Sequence, residues 1–335
     1  MQVEAHSEAA CFDVLKEEWQ QLVPHSQADL IFSTWEWHSH WWNAYHPGRL
    51  WLVLVRSEQG ELVGLMPMFI ETQPGRGRVA RIVGSDDVTD YLDIIAHVGC
   101  VSDVYRALAS FLAASKDFDA LDMSNVPETS PTRTLFVEAL EANGFTVKMT
   151  PQEVCPLFDV PATFEAYLEL LDSKERSELR RKLRRAEAVD GLDWYIVGGQ
   201  HDIGHELEKF LALMAASHPE KAAFLQNPQH TAFFRSFMPT AMARGWLQLA
   251  FQTYDDEPIA AYLNFDYNDH ILVYNSGLKP DRYGALSPGI VLLANLIKWA
   301  IAHKKRTFNF LRGNEAYKYQ MGGRDTTVYR IEAFC

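Results

Sequence analysis

Arg282-Tyr283-Gly284-Ala285-Leu286-Ser287-Pro288-Gly289 opens a long apolar run, and Phe308-Asn309-Phe310-Leu311-Arg312-Gly313-Asn314-Glu315-Ala316-Tyr317-Lys318 follows it. The first stretch reads as a turn leading into a helix, with Ser287 at the N-cap and Pro288 at the first helical position. The helix predicted over 289–303 carries Val291, Leu292, Ile297 and Ile301. A strand-like segment over 270–275 precedes the turn, and another over 307–311 follows the helix. Strand, tight turn and helix together leave backbone N–H groups pointing one way, where phosphate is well held. This is the layout of a nucleotide or coenzyme site.

Working outward, the spacing of Phe12, Leu15, Trp19 and Leu22 predicts a helix over 9–22, and Thr34 begins a second one reaching Tyr45. Residues 50–56 and 61–70 form a hairpin around Ser57-Glu58-Gln59-Gly60. Further strands are predicted over 79–83, 91–96, 119–124, 145–149 and 154–160, with helices over 101–115 and 133–143. Helices over 162–189, a strand over 192–197 and helices over 203–217 and 228–244 open the second half. A second hairpin spans 246–267, and a strand over 327–334 closes the chain. Trp51-Leu52-Val53-Leu54-Val55 with its partner strand matches Trp246-Leu247-Gln248-Leu249-Ala250 with its own, and each hairpin is followed by strand, helix and strand. Two copies make a duplicated α/β domain with mixed sheets rather than a solenoid. The expected boundary places one copy at 1–155 and the other at 156–335. After its third strand the first copy has Gly84-Ser85-Asp86-Asp87, too acidic for phosphate, so it is read as a degenerate donor half.

Length and composition agree. The 335 residues suit two domains, and the 47% hydrophobic content is that of an ordinary globular chain. No apolar run is read as long enough for a bilayer, and residues 1–8 lack the pattern of a signal peptide. Scattered Cys11, Cys100, Cys155 and Cys335 suit reduced thiols, so the expected compartment is the cytoplasm. A net charge of −13 repels nucleic acid and anionic lipid overall. The exception is the predicted basic helix within 174–189. There Arg176, Arg180 and Arg184 share one face and Leu179, Leu183 and Ala186 the other. That face either grips phosphate or is a solvated surface balanced by Glu175, Glu178 and Glu187.

These residues resemble GNAT-type acyltransferases, and within them the bacterial CelD-like, or cellulose-biosynthesis, acetyltransferase family. The resemblance rests on Phe32-Ser33-Thr34-Trp35-Glu36-Trp37, Leu65-Met66-Pro67-Met68, Arg180-Arg181-Lys182-Leu183-Arg184-Arg185, Leu286-Ser287-Pro288-Gly289 and the run 310–318. It implies a tandem GNAT fold related to Fem-type peptidyltransferases and leucyl/phenylalanyl-tRNA–protein transferases. It also implies that Arg282, Gly284, Ser287 and Gly289 form a coenzyme A pyrophosphate loop. Backbone amides near Tyr274, Asn275 and Ser276 would then polarise a thioester carbonyl.

Direct acyl transfer needs a base for the acceptor, an acid for the leaving thiolate and donors for the oxyanion. Glu315 is the expected base, with Asp266 as its rival, Tyr317 the acid and Lys318 an oxyanion or phosphate contact. Arg180 and Arg184 are expected to hold phosphate. His201 and His205 have no third ligand nearby, so no metal is expected. The Trp35, Trp37, Trp41, Trp42 and Trp51 cluster reads as core. The expected activity is transfer of an acyl, most simply acetyl, group from acyl-CoA to an amine or hydroxyl of a small-molecule or polymer acceptor. The rivals are an aminoacyl-tRNA donor, the one case in which nucleic acid is a partner, and a non-catalytic scaffold.

Overall fold

The computed structural model describes residues 1–84, 88–279 and 283–334. Two compact units form, one from Met1–Glu153 with Thr327–Cys335, the other from Val154–Thr326. The closing strand therefore belongs to the first unit, where the boundary expected at 155/156 assigned it to the second. The reason is pairing: Ile331 lies opposite Met123 and Ala333 opposite Leu121, burying both among the first unit's apolar residues.

In the first unit, β1 (Gln2–His6), β2 (Arg49–Arg56), β3 (Leu62–Gln73) and β4 (Gly77–Ile82) form an antiparallel run. The short β5 (Ile95–Ala96) pairs with β3. β6 (Ala120–Pro127) then pairs parallel to β4, and β7 (Thr146–Val154) and β14 (Thr327–Phe334) complete the order β1-β2-β3-β4-β6-β14-β7. Parallel pairing of β4 and β6 requires a crossover, which helix α3 (Val101–Ala114) supplies. Helices α1 (Cys11–Leu22) and α2 (Trp35–Tyr45) bury the predicted stripe Phe12, Leu15, Trp19 and Leu22, together with Trp37, Trp41 and Trp42. Thr34 caps α2 by accepting the Trp37 N–H at 3.2 Å. Helix α4 (Leu135–Ala142) adds Phe136 and Leu140 to the core.

The second unit repeats the plan. Its sheet runs β9 (Leu192–Ile196), β10 (Leu247–Tyr254), β11 (Glu257–Tyr267), β12 (His270–Leu278), β13 (Thr307–Asn309) and β8 (Leu157–Asp159) in the order β8-β13-β12-β11-β10-β9. Again an antiparallel meander ends in a parallel neighbour, β13 beside β12, reached through helix α10 (Pro288–Ala302). The helices predicted over 162–189 are α5 (Phe164–Leu170) and α6 (Ser173–Glu187), separated at Leu171–Asp172. Leu179, Leu183 and Ala186 of α6 are buried as the spacing predicts. Helices α7 (Ile203–Ser217) and α9 (Pro228–Ala243) are also as expected. The intervening α8 (Pro219–Gln226) is not foreseen, because its residues carry almost no amphipathic pattern. Gly277 of β12 lets α7 ride directly on the strand: a Cβ there would lie 2.4 Å from the Met214 nitrogen.

Gly284–Ala302 is long and apolar enough, by composition alone, to cross a bilayer (19 residues, mean hydropathy 1.6), where no run of that length is predicted. Its Leu292, Leu293, Leu296 and Ile297 lie in the second unit's core.

A relay of donors ends on one buried carboxyl in the first unit. Gln27 donates to the Tyr105 hydroxyl at 2.9 Å, and Tyr105 and Thr132 share a bond of 2.7 Å. Thr132 then donates to Asp93 at 2.6 Å, and the Ile94 N–H also reaches Asp93. Burial pushes the Asp93 carboxyl up to about 6 from an ordinary 3.8. The folded unit thus holds this proton more tightly than the unfolded chain does. Its contribution to stability is complete below the unfolded value and is lost as pH rises through about 6. Asp93→Asn should flatten the pH dependence of the first unit's melting temperature over that window, checked by thermal melts from mildly acid to neutral pH. An unchanged slope would contradict the assignment.

Candidate functional site

The parallel pairing of β12 and β13 lasts only three residues, His270, Ile271 and Leu272 opposite Thr307, Phe308 and Asn309. Beyond it the strands part, and β12 continues to Leu278 with only β11 beside it. The β11–β12 register shifts between Leu263 and Asn264: Leu263 faces Asn275, Asn264 faces Val273, and Tyr274 is the extra residue of a bulge. A bulge where a strand loses its neighbour leaves backbone groups aimed into the opening.

One face of this opening is closed by the start of α10. Ser287 takes a left-handed conformation (φ 51°) and its side chain makes no cap, which corrects the predicted role. Pro288 is at the first helical position as expected, and the first-turn amides are left without a side-chain cap. Gly289 lies against Leu278 and the Tyr262 hydroxyl: a Cβ there would be 3.8 Å and 4.0 Å from them. Gly284 opens a short 3-10 turn, Gly284–Leu286. Arg282 lies outside the described residues. On either side of it, Lys279 and the Tyr283 hydroxyl both bond Glu257, at 2.5 and 2.8 Å. Arg185 of α6 donates to the Ala285 carbonyl at 2.7 Å, bringing the basic helix against this turn. Arg180 and Arg184 are exposed and have no ion-pair partner among the described residues, whereas Arg181 and Lys182 share Glu178 as a partner. An open groove of about 510 Å³ along the other side of α6 is lined by Lys174, Glu178, Arg181, Lys182 and Gln320, among others. With Glu175 and Glu178 both on its lining, that groove is the less attractive place for an anion.

The segment after β13 is built around Lys318. Leu311 (φ 56°) and Gly313 (φ 112°) both adopt left-handed backbone, which turns the carbonyls of 311–313 inward. Lys318, on the one-and-a-half-turn helix α11 (Ala316–Gln320), is only 2% exposed. Its ammonium donates to the carbonyls of Leu311, Arg312 and Gly313 at 3.2, 2.5 and 3.2 Å and pairs with Glu315 at 2.9 Å. Every donor is engaged, so Lys318 is a backbone clamp and not the oxyanion or phosphate contact predicted for it. Glu315 is exposed on its outer side. Tyr317 is half-buried beside it, and burial, reinforced by Tyr262 and Glu315, holds its phenol well above the usual range. Such a phenol stays protonated over the ordinary pH range. Tyr262, similarly pushed up by burial, shares the opening.

Asp266 does not belong with these residues. It shares a face with Tyr262, as alternation predicts, but lies four residues, ~13 Å, further along β11. There it pairs with Lys305 at 2.7 Å, at the other end of the sheet. Of the predicted amide donors, the Ser276 N–H is covered by the Asn275 side-chain oxygen at 2.9 Å, and the Tyr274 ring packs on Phe234 and Phe265. His201 bonds Gly198 and stacks on Tyr195. Among the described residues, no group of three or more His, Cys, Asp or Glu lies close enough to hold a metal ion.

One residue in the opening was not foreseen. Lys221 of α8 donates to the Ser276 carbonyl at 2.5 Å and its hydroxyl at 3.3 Å. Nothing in sequence links positions 55 residues apart; only the crossing of α7 over Gly277 brings them together.

In the first unit the corresponding opening is filled by its own chain. The Leu92 N–H bonds the Asn125 carbonyl at 3.0 Å, and the Asn125 side chain bonds the Thr89 carbonyl at 2.8 Å. Ser85, Asp86 and Asp87, the basis for expecting a degenerate half, lie outside the described residues.

Residues 173–319 match the acetyltransferase (GNAT) domain family, so a GNAT-type domain occupies most of the second unit. No curated protein matches the sequence. Among solved structures, FemX is similar over 98% of this chain and 97% of its own, with a TM-score of 0.68 and 12% identity. L-PGS from Bacillus licheniformis is similar over 95% of this chain and 91% of its own (TM-score 0.55, 12% identity). A tandem GNAT protein from the clavulanic acid biosynthesis pathway covers 98% of both chains (TM-score 0.50, 15% identity). Two mixed sheets of common plan, with these likenesses, give the chain a tandem GNAT fold.

Lys318→Met should leave three inward carbonyls without a donor and cost roughly 3 kcal/mol of stability, as losing one member of a buried charged network does. Urea unfolding of the variant checks it; a cost below about 1 kcal/mol, the range of exposed ion pairs, would mean the clamp is dispensable.

Proposed function

We propose that the second unit transfers an acyl group from acyl-coenzyme A to an amine or hydroxyl acceptor by direct attack. The observation that carries this reading is the opening itself, a bulged strand parting from its parallel neighbour beside an uncapped helix start. The thioester would lie in the opening, its carbonyl toward β12, once the Asn275 side chain is displaced from the Ser276 amide. The pyrophosphate would meet the first turn of α10 at Gly289, with Gly284, Ser287 and Arg282 around it and Arg180 and Arg184 beyond. Tyr317 is the donor of the proton the leaving thiolate takes, and Glu315, oriented by Lys318, faces the acceptor. Within GNAT domains, the CelD-like branch is our reading of the motifs at 286–289 and 310–318. Because the first unit's opening is filled by residues 89–92 and Asn125, we place a single donor site in the chain.

A second reading, with aminoacyl-tRNA as donor, draws support from Arg180 and Arg184 of α6, exposed and without an ion-pair partner among the described residues. Calorimetry with acetyl-CoA, longer acyl-CoAs and aminoacyl-tRNA at low and moderate salt separates the two. Acyl-CoA should bind, more weakly as salt rises. Removing both arginines with Arg180→Ala and Arg184→Ala should weaken it about tenfold or more, the worth of one lost charge-assisted contact. Binding of tRNA alone would replace coenzyme A with the second reading. Binding of neither would leave a scaffold.

A further inference from the structure

Lys221 reaches the opening from the face opposite α10. Val273 and Tyr262 pack with α10, while Gly277 lies under α7 and Tyr274 against Phe234 of α9. Helix α8 follows α7 after a single residue, His218, whose ring nitrogen accepts the Glu220 N–H and caps it. Lys221 thus stands on the first turn of a capped helix whose predecessor is seated on β12, which fixes its amine better than a loop would. Its two bonds to Ser276 place the nitrogen one residue past the Asn275 that borders the bulge. On the reading of a donor carbonyl lying along β12, an acceptor attacking from the side away from α10 meets this amine first.

We propose that Lys221 is a catalytic residue of the transfer, the group that takes the proton from the attacking acceptor. The acceptor nitrogen or oxygen forms its bond to the acyl carbon, and the carbon–sulfur bond breaks. The electron pair leaves on sulfur, which takes a proton from Tyr317; the acceptor's proton passes to the Lys221 amine. Lys221 then gives it to solvent and Tyr317 regains one, so transfer releases a thiol and the acylated acceptor.

The surroundings suit a proton acceptor. Burial pulls the Lys221 amine down to about 8 from an ordinary 10.5, with Glu315 favouring its charged form and Lys318 opposing it. Other charged groups on the packed elements are occupied among themselves: Glu206 with Lys209 on α7, and Glu208 of α7 with Arg235 of α9. On α8 itself Glu220 is exposed beside His218, and His230 of α9 stacks on Phe224. The amine therefore becomes neutral, as a general base must be, at a pH well below that of an ordinary lysine.

This inference rests on the acyl-transfer reading, and its test separates the two. Thiol release is measured with hydroxylamine as a neutral acceptor and two donors, acetyl-CoA and S-acetyl-N-acetylcysteamine, which lacks the nucleotide and phosphates. Wild-type kcat/KM should rise to a plateau above pH about 8. Lys221→Gln and Lys221→Arg should each lower it ~100-fold or more with both donors and abolish the limb, since neither side chain accepts a proton here. Calorimetric affinity for acetyl-CoA should be unchanged, and melting curves show whether each variant is folded. A folded variant that keeps both rate and limb overturns the role of Lys221. Turnover with the truncated thioester and its loss in the variants, without acetyl-CoA binding, upholds Lys221 and overturns coenzyme A. Turnover by wild type with neither donor overturns both.

Discussion

The cleft of the second unit begins where β12 and β13 part after three residue pairs, as β4 and β6 also do in the first unit. Three residue pairs are enough to register the strands and too few to keep them together. Past that point the backbone of β12 has a free edge inside the domain, a position that normally has to be covered. The first unit covers its own with residues 89–92 and Asn125. The second leaves it open and surrounds it with a helix start, two tyrosines, a carboxylate and a lysine. The same topology has thus been closed in one copy and kept as a cleft in the other.

An open edge is affordable only if its rim is rigid. The rim here is the left-handed turn at Leu311–Gly313, whose inward carbonyls would be a liability without a donor. Lys318 supplies that donor three times over and, through Glu315, orients the carboxylate at the mouth of the cleft. On the far side Gly277 admits α7 to contact with β12, and the placement of Lys221 follows from it. Charge is arranged to match. Acidic groups near the turn before α10 are taken up locally, as Glu257 is by Lys279 and Tyr283, which leaves Arg180 and Arg184 without an ion-pair partner among the described residues.

Much of the fold is legible in the sequence because local patterns carry it. Phe12, Leu15, Trp19 and Leu22 define one helix face, Thr34 caps the next helix, and the two hairpins repeat each other. The partner of the last strand is not legible, because alternation in 327–334 suits either sheet and only the opposition of Ile331 to Met123 chooses. The site divides in the same way. Alternation puts Asp266 on the correct face of β11, but a face is not a position, and Lys305 holds it at the wrong end. Residue type marks Ser287 as a cap, yet its left-handed backbone turns the side chain away from the role. Lys318 reads as an oxyanion or phosphate contact, and its burial among the carbonyls of 311–313 makes it a structural cation instead. Lys221 carries no local signal at all.

The opening at the ends of β12 and β13 is where we propose that the acyl donor binds. Amide hydrogen exchange with and without acetyl-CoA tests it most directly. Exchange should slow at 273–278, at the first turn of α10 and at 311–318, with residues 88–96 of the first unit unchanged. Protection confined to the first unit, or none at saturating acetyl-CoA, would contradict it.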